Sequence, residues 1–173
     1  MSKCEKLVDV GRRAFLRGGG IAAAGGLAVA IGPRTAQATA SLARVDYPSM
    51  KLGNLKDLKV DVPVDIAYPD QASPGVLLKL GKAVEGGAGP DNDVVAFSTM
   101  CPHKGFPLSY NAKSRTLNCP GHYSVFDCEA GGQEVWGQAT QNLPQFTLRV
   151  DDKGNIFAEG VDELLYGRLS NVL

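Results

Sequence analysis

The sequence predicts an all-β fold, an antiparallel sandwich or barrel carrying one small insertion. Short apolar runs recur at close spacing, each bounded by Gly, Pro, Asn or Asp. With 21 glycines and 10 prolines in 173 residues, turns and short strands are favoured over a helical bundle. A hydrophobic content of 44% against 21% charged residues is that of a folded domain, and the length suffices for one core with a small subdomain.

The first forty residues stand apart from this pattern. Arg12 and Arg13 are paired ahead of Phe15 and Leu16, and a weakly apolar run of 15 residues follows, Gly18 to Gly32. Small residues then form the A-x-A pattern twice, at Ala36-Gln37-Ala38 and Ala38-Thr39-Ala40. This layout is secretory, and the arginine pair makes it resemble a twin-arginine (Tat) signal, with cleavage expected after Ala38 or Ala40. A retained membrane anchor would need about 20 strongly apolar residues. A buried helix would have to absorb the cost of its many glycines. Residues 1–40 hold six of the 18 basic groups and two of the 18 acids, so the remaining chain has 12 basic and 16 acidic groups. If residues 1–40 are removed, the overall charge of zero becomes about −4, and no basic stripe with interleaved aromatics points to nucleic acid.

Strand-like runs begin with VPVDIAY (62–68) and GVLLKLGKAV (75–84), separated by Pro69 and Pro74. The segment EGGAGPDND (85–93) reads as a surface loop rather than a phosphate cradle, since no helical pattern follows it. DVVAFSTM (93–100), RTLNC (115–119) and YSVFD (123–127) are further strands. FTLRVDDKGNIFAEG (146–160) reads as a hairpin about Lys153-Gly154-Asn155. Trp136 and Phe146 are expected to be packing aromatics, with a partner-facing position as the alternative for Trp136. DELLYGRLSNVL (162–173) is expected to form a capping helix or extended tail, with docking on a partner as the alternative.

Both histidines of the chain lie in one stretch, MCPHKGFPLSYNAKSRTLNCPGHYSVFDCEAGG (100–132), each just after a cysteine. The pattern is C-x-H, fifteen intervening residues, then C-x-x-H: Cys101, His103, Cys119 and His122. Pro102, Gly105, Pro107, Pro120 and Gly121 suit tight turns that bring backbone N–H groups toward sulfur. Structural zinc would accept two Cys and two His, but usually pairs like with like within each loop. A Cys–His nucleophile would leave the second loop unexplained. A [2Fe–2S] centre with two Cys on one iron and two His on the other uses every donor.

With these residues the chain resembles the Rieske iron–sulfur family. The resemblance implies a Rieske-type fold with its cluster-binding subdomain at about residues 100–131 of a domain spanning 41–173. It implies one cluster per chain, with Cys101 and Cys119 on the inner iron and His103 and His122 on the outer one, bound through Nδ1. Lys104, Gly105, Phe106, Gly121, Ser124 and Phe126 are the neighbours expected around it. Members of the bc-complex type carry a disulfide where this chain has Phe106 and Gly121, so apolar packing of Phe106 over Gly121 is expected in its place. Those members also place a Ser and a Tyr as donors to the cluster; here Ser124 is kept and Phe126 replaces the tyrosine. The potential is therefore expected below the bc type, in the middle to upper part of a range of about −150 to +300 mV. Cys4 would leave with the signal, and Cys128 is expected to be a buried free thiol.

The stretches CPHKGFPLSY, NCPGHYSVFD, GQATQNLPQFTLRV and GVDELLYGRLSNVL further resemble the small subunits of arsenite oxidases over most of residues 45–173. That resemblance implies a non-catalytic electron-transfer subunit. Its partners would be a large molybdopterin and [3Fe–4S] subunit and a periplasmic cytochrome c or copper protein, with the membrane involved only if the signal is retained. A Rieske subunit of a quinol-oxidising bc-type complex is the main alternative. A ferredoxin for ring-hydroxylating oxygenases is opposed by the export signal, and a zinc-stabilised binding module by the donor spacing.

Overall fold

The computed structural model describes residues 46–172, and the signal expected over residues 1–40 lies outside them. Among the described residues, ten strands form three antiparallel sheets. Strands β1 (Met50–Asn54), β9 (Phe146–Val150) and β10 (Asn155–Val161) make one sheet in the order β1-β10-β9. Strands β2 (Val64–Ala67), β3 (Pro74–Lys79) and β4 (Val94–Ser98) make the second in sequence order. Strands β5 (Ser109–Asn111), β6 (Thr116–Asn118), β7 (Val125–Asp127) and β8 (Gln133–Trp136) make the third, inserted between the other two along the chain. This is the all-β, antiparallel architecture expected from the sequence.

The continuous apolar character of β3 and β4 has a direct cause. Successive side chains of a strand point to opposite faces. On one face, Leu77, Val94 and Ala96 join Tyr68, Phe146, Ile156 and Ala158 in a core shared with the β1-β10-β9 sheet. On the other, Val76, Leu78, Val95 and Phe97 pack with Leu117, Phe126, Cys128 and Leu143 in a core shared with the third sheet. The middle sheet is thus covered on both sides, and alternation disappears from its sequence because neither face meets water. Phe97, fully buried, touches the second core at its centre; its removal to alanine is expected to cost about 3–5 kcal/mol.

The structure meets some of the remaining expectations and corrects others. The inserted sheet runs on to Trp136, past the expected boundary near residue 131, because QEVW adds a fourth strand too short to read from its pattern. Trp136 is 71% exposed, whereas Phe146 is 1% exposed and belongs to the core. The C-terminal segment forms no helix among the described residues. Instead Leu165 is buried, and the Asn171 side chain takes the Leu165 N–H at 2.8 Å while donating to Glu163 O at 2.8 Å and Tyr47 Oη at 3.0 Å. The β9–β10 turn is Asp151–Gly154, with Gly154 at φ 75 and Asn155 already in β10. Asp151 holds it by accepting the Lys153 and Asn155 N–H groups at 2.9 and 2.8 Å. The 85–93 segment is a loop of turns, closed at its end by the buried Asp93, which pairs with Lys79 at 2.9 Å.

Candidate metal centre

The two motif loops share one backbone framework. Cys101 N donates to Phe106 O at 2.9 Å, five residues on, and Gly105 N donates back to Cys101 O at 2.8 Å. In the second loop Cys119 N donates to Ser124 O at 2.8 Å, again five residues on, and Tyr123 N donates to Cys119 O at 3.1 Å. The fourth residue after each cysteine has positive φ: Gly105 at 69 and Tyr123 at 62. Glycine enters that region without cost, whereas tyrosine is held there by the surrounding structure. Each loop springs from a strand, β4 for Cys101 and β6 for Cys119, and both cysteines belong to the second core.

These turns set unlike donors in separate places. Cys101 and Cys119 are 1% and 3% exposed and belong to the same core cluster. Burial pushes the Cys101 thiol up and the neighbouring Cys119 adds to the rise, while backbone N–H groups of His103 and Lys104 offset part of it. The ring centroids of His103 and His122 lie 4.7 Å apart at 72°. His103 Nδ1 is buried and has no hydrogen-bond partner. An isolated buried acceptor of this kind costs free energy that a metal bond would recover. Among the described residues, no three His, Cys, Asp or Glu side chains converge on one metal ion. Two thiols and two imidazoles are the donor set of a [2Fe–2S] centre in which each iron takes two protein donors.

The neighbours divide by role. Phe106 lies edge-on to His122, centroids 5.8 Å apart at 90°, and over Gly121, where a Cβ would approach its ring to 2.8 Å. Ser124 is fully buried and its Oγ accepts the Gln138 and Ala139 N–H groups, both at 3.0 Å, leaving its own proton free to donate. Phe126 is fully buried beneath the site, and Lys104 contributes through its backbone while its side chain is exposed. Cys128 is buried, free and pushed up to about 12 by burial, with the Asp127 charge adding to it.

Other supports gave less signal in the sequence. Gly137, at φ 120, lies so close to Ser124 that a Cβ would come within 2.3 Å of the serine Cα. Only a turn glycine in GQAT marked that position. Arg115 joins Asp61, ahead of β2, to Glu129, after β7, with contacts of 2.9 and 2.8 Å. Nothing local in the sequence pairs residues so far apart.

Comparison with known proteins yields a consistent set. The model of the Rieske [2Fe-2S] domain matches residues 50–147. The iodate reductase subunit IdrB of Denitromonas iodatirespirans is 42% identical over 165 residues, covering 92% of this chain and 85% of that protein. The iodate reductase subunit IdrB of Pseudomonas sp. (strain SCT) is 41% identical over 159 residues, covering 90% and 81%. Among solved structures, the soluble domain of Rieske protein II (soxF) from Sulfolobus acidocaldarius has a TM-score of 0.63 at 23% identity, covering 73% of this chain and 85% of that one, which is a likeness of fold.

Proposed function

Since this chain belongs to the Rieske [2Fe–2S] family, we propose that it is the electron-transfer subunit of a periplasmic molybdenum oxidoreductase acting on an oxyanion, iodate being the substrate best supported. A Rieske-type [2Fe–2S] cluster is its cofactor, and when bound it supplies a one-electron carrier. Cys101 and Cys119 would hold the inner iron and His103 and His122 the outer one. The observation that carries this reading is the separation of donors into a buried thiol pair and an imidazole pair, with His103 Nδ1 buried and unsatisfied.

The residues around the site suit a relay. Backbone N–H groups of His103 and Lys104 favour added negative charge on the Cys101 sulfur, which raises the potential, and the spare proton of Ser124 is assigned the same role by the family resemblance. Exposed His122, Phe106 and Tyr123 leave one side open to a redox partner. No residue of this chain is read as an oxyanion site, so the substrate would react on a large subunit. With iodate as oxidant, electrons would enter from a cytochrome c or copper protein and pass to that subunit.

The resemblance to arsenite oxidase small subunits supports a second reading, in which arsenite is the reductant and electrons pass outward. The bc-type alternative is weakened because Phe106 and Gly121 occupy the positions of its disulfide. Export by the twin-arginine route rests on the Arg12-Arg13 signal and would deliver the subunit already loaded.

The deciding experiment is native co-purification, with metal analysis and turnover of both oxyanions. Iron, labile sulfide and a molybdenum partner that reduces iodate support the proposal. Arsenite oxidation by the same complex would move it to the second reading, and co-purification with a cytochrome b would overturn both.

A further inference from the structure

We infer that Tyr166 is a positioning residue for the first ligand loop, the C-terminal segment acting as a strap that fixes the turn bearing His103. The ring of Tyr166 occupies the space beside Gly105: a Cβ there would lie 2.3 Å from Cε1 and 2.7 Å from Cδ1. Gly105 is the positive-φ residue on which the Cys101–Phe106 turn closes, and it follows His103 by two positions. Within that turn, two backbone hydrogen bonds join Cys101 to Gly105 and Phe106, and the His103 and Lys104 N–H groups reach the Cys101 thiol. The Tyr166 ring adds a packing surface on the Gly105 side of the turn.

A strap works only if its own ends are fixed, and here they are. Arg168 grips Asp70 with two hydrogen bonds of 2.8 and 2.7 Å, tying the segment to the turn between β2 and β3. Leu165 is buried in the core shared by the first two sheets. Asn171 is 6% exposed and makes three hydrogen bonds within the segment and to Tyr47. Tyr166 stands between these anchors with 42% of its surface exposed, so packing against the core does not explain its position. Fixing a ligand-bearing turn from outside the ligand set restricts the donor geometry, and such outer contacts influence a metal centre's potential.

The inference rests on the reading of His103 as a cluster donor, and the test separates the two. Full-length, iron-loaded wild type, Tyr166→Phe, Tyr166→Ala and Arg168→Ala are compared by amide hydrogen exchange over residues 102–106, EPR line shape and midpoint potential. Tyr166→Ala is expected to speed exchange in that segment about tenfold, with the rest of the chain unchanged. A broadened EPR signal and a displaced potential should accompany it. Tyr166→Phe should match wild type, and Arg168→Ala should shift in the alanine direction, which keeps the test decisive if Tyr166→Ala fails to fold. Unchanged exchange in both the alanine variants, or acceleration spread evenly over the chain, overturns the strap. A wild type without iron overturns the donor reading instead, while its exchange still reports on Tyr166.

Discussion

The ring of Phe106 lies over Gly121 so closely that a Cβ there would sit 2.8 Å from Cδ2 and 2.9 Å from Cγ. One residue from each ligand loop thus meets the other where bc-type members were expected to carry their disulfide. Gly121→Ala should therefore destabilise the protein by about 1 kcal/mol, the lower end of an overpacking cost, because Phe106 is half-exposed and its ring can yield. Combining it with Phe106→Ala should cost less than the sum of the two single changes, since the clash is then gone. Chemical denaturation of the four proteins measures the cycle. Strict additivity would mean that the two residues do not support each other. As an independent check, Phe106→Cys with Gly121→Cys should form a bridge on oxidation, visible by peptide mapping.

Ser124→Ala should act on both stability and potential. The Gln138 N–H loses its partner, while the Ala139 N–H keeps Glu134 at 2.9 Å, so a destabilisation of about 1–3 kcal/mol is expected. Loss of the serine proton as a donor should also lower the midpoint potential in a redox titration. A destabilised variant with the wild-type potential would confine Ser124 to holding the Gln138-Ala139 turn.

How far the sequence reached can be seen in particular residues. The candidate donors Cys101, His103, Cys119 and His122 stand out in the sequence by residue type and spacing. β3 and β4 were legible as apolar runs, since burial on both faces leaves a continuous signal. β5 and β8 were not, because three or four half-exposed residues carry no period. Nor was the strap: Tyr166 meets Gly105 across some sixty positions, and a tail fixed by Arg168–Asp70 and Asn171 leaves no period in DELLYGRLSNVL to choose between a helix and an extended tail. The structure found what depends on long-range contact, and the sequence found what depends on residue chemistry.

Cys128 should be inert in the folded protein. Burial raises its thiol to about 12, so almost none is thiolate near pH 8, and the reactive form is absent as well as inaccessible. Iodoacetamide at about pH 8 should leave Cys128 unmodified in the native holoprotein and label it fully in denaturant. Native labelling of the Cys128 peptide, read by mass spectrometry, would contradict the placement of this side chain in the core.

Acid should loosen the tie between the inserted sheet and the rest of the domain. Arg115 holds the carboxyl groups of Asp61 and Glu129 below their ordinary values, with Lys82 assisting at Glu129. Groups depressed in the folded state stabilise it above their unfolded pKa, and that stability is lost as pH falls through the folded value. The loss should thus develop below about pH 4. Arg115→Ala removes the cause, so the gap in Tm between variant and wild type should be largest near neutrality and shrink in acid. A gap independent of pH would assign the effect of Arg115 to packing alone.

Gly137→Ala should be the most disruptive small substitution near the site. Its Cβ would lie 2.3 Å from Ser124 Cα and 2.6 Å from Ser124 N, backbone atoms that cannot rotate away, and φ 120 is itself unfavourable to alanine. Relief requires moving Ser124, whose carbonyl accepts the Cys119 N–H and whose hydroxyl holds the next two amides. The displacement therefore passes directly into the second ligand loop. A destabilisation above about 3 kcal/mol is expected, at the severe end for a single change. Iron retention should fall in the same variant, because Cys119 and His122 lie on the displaced turn. Gly160→Ala is the control: it meets only the Thr147 side chain, at 3.2 Å for Oγ1, and lies in the sheet of β1, β9 and β10. It should keep its iron. Equal iron retention in both variants would show that the Gly137 contact does not hold the ligand loop in place.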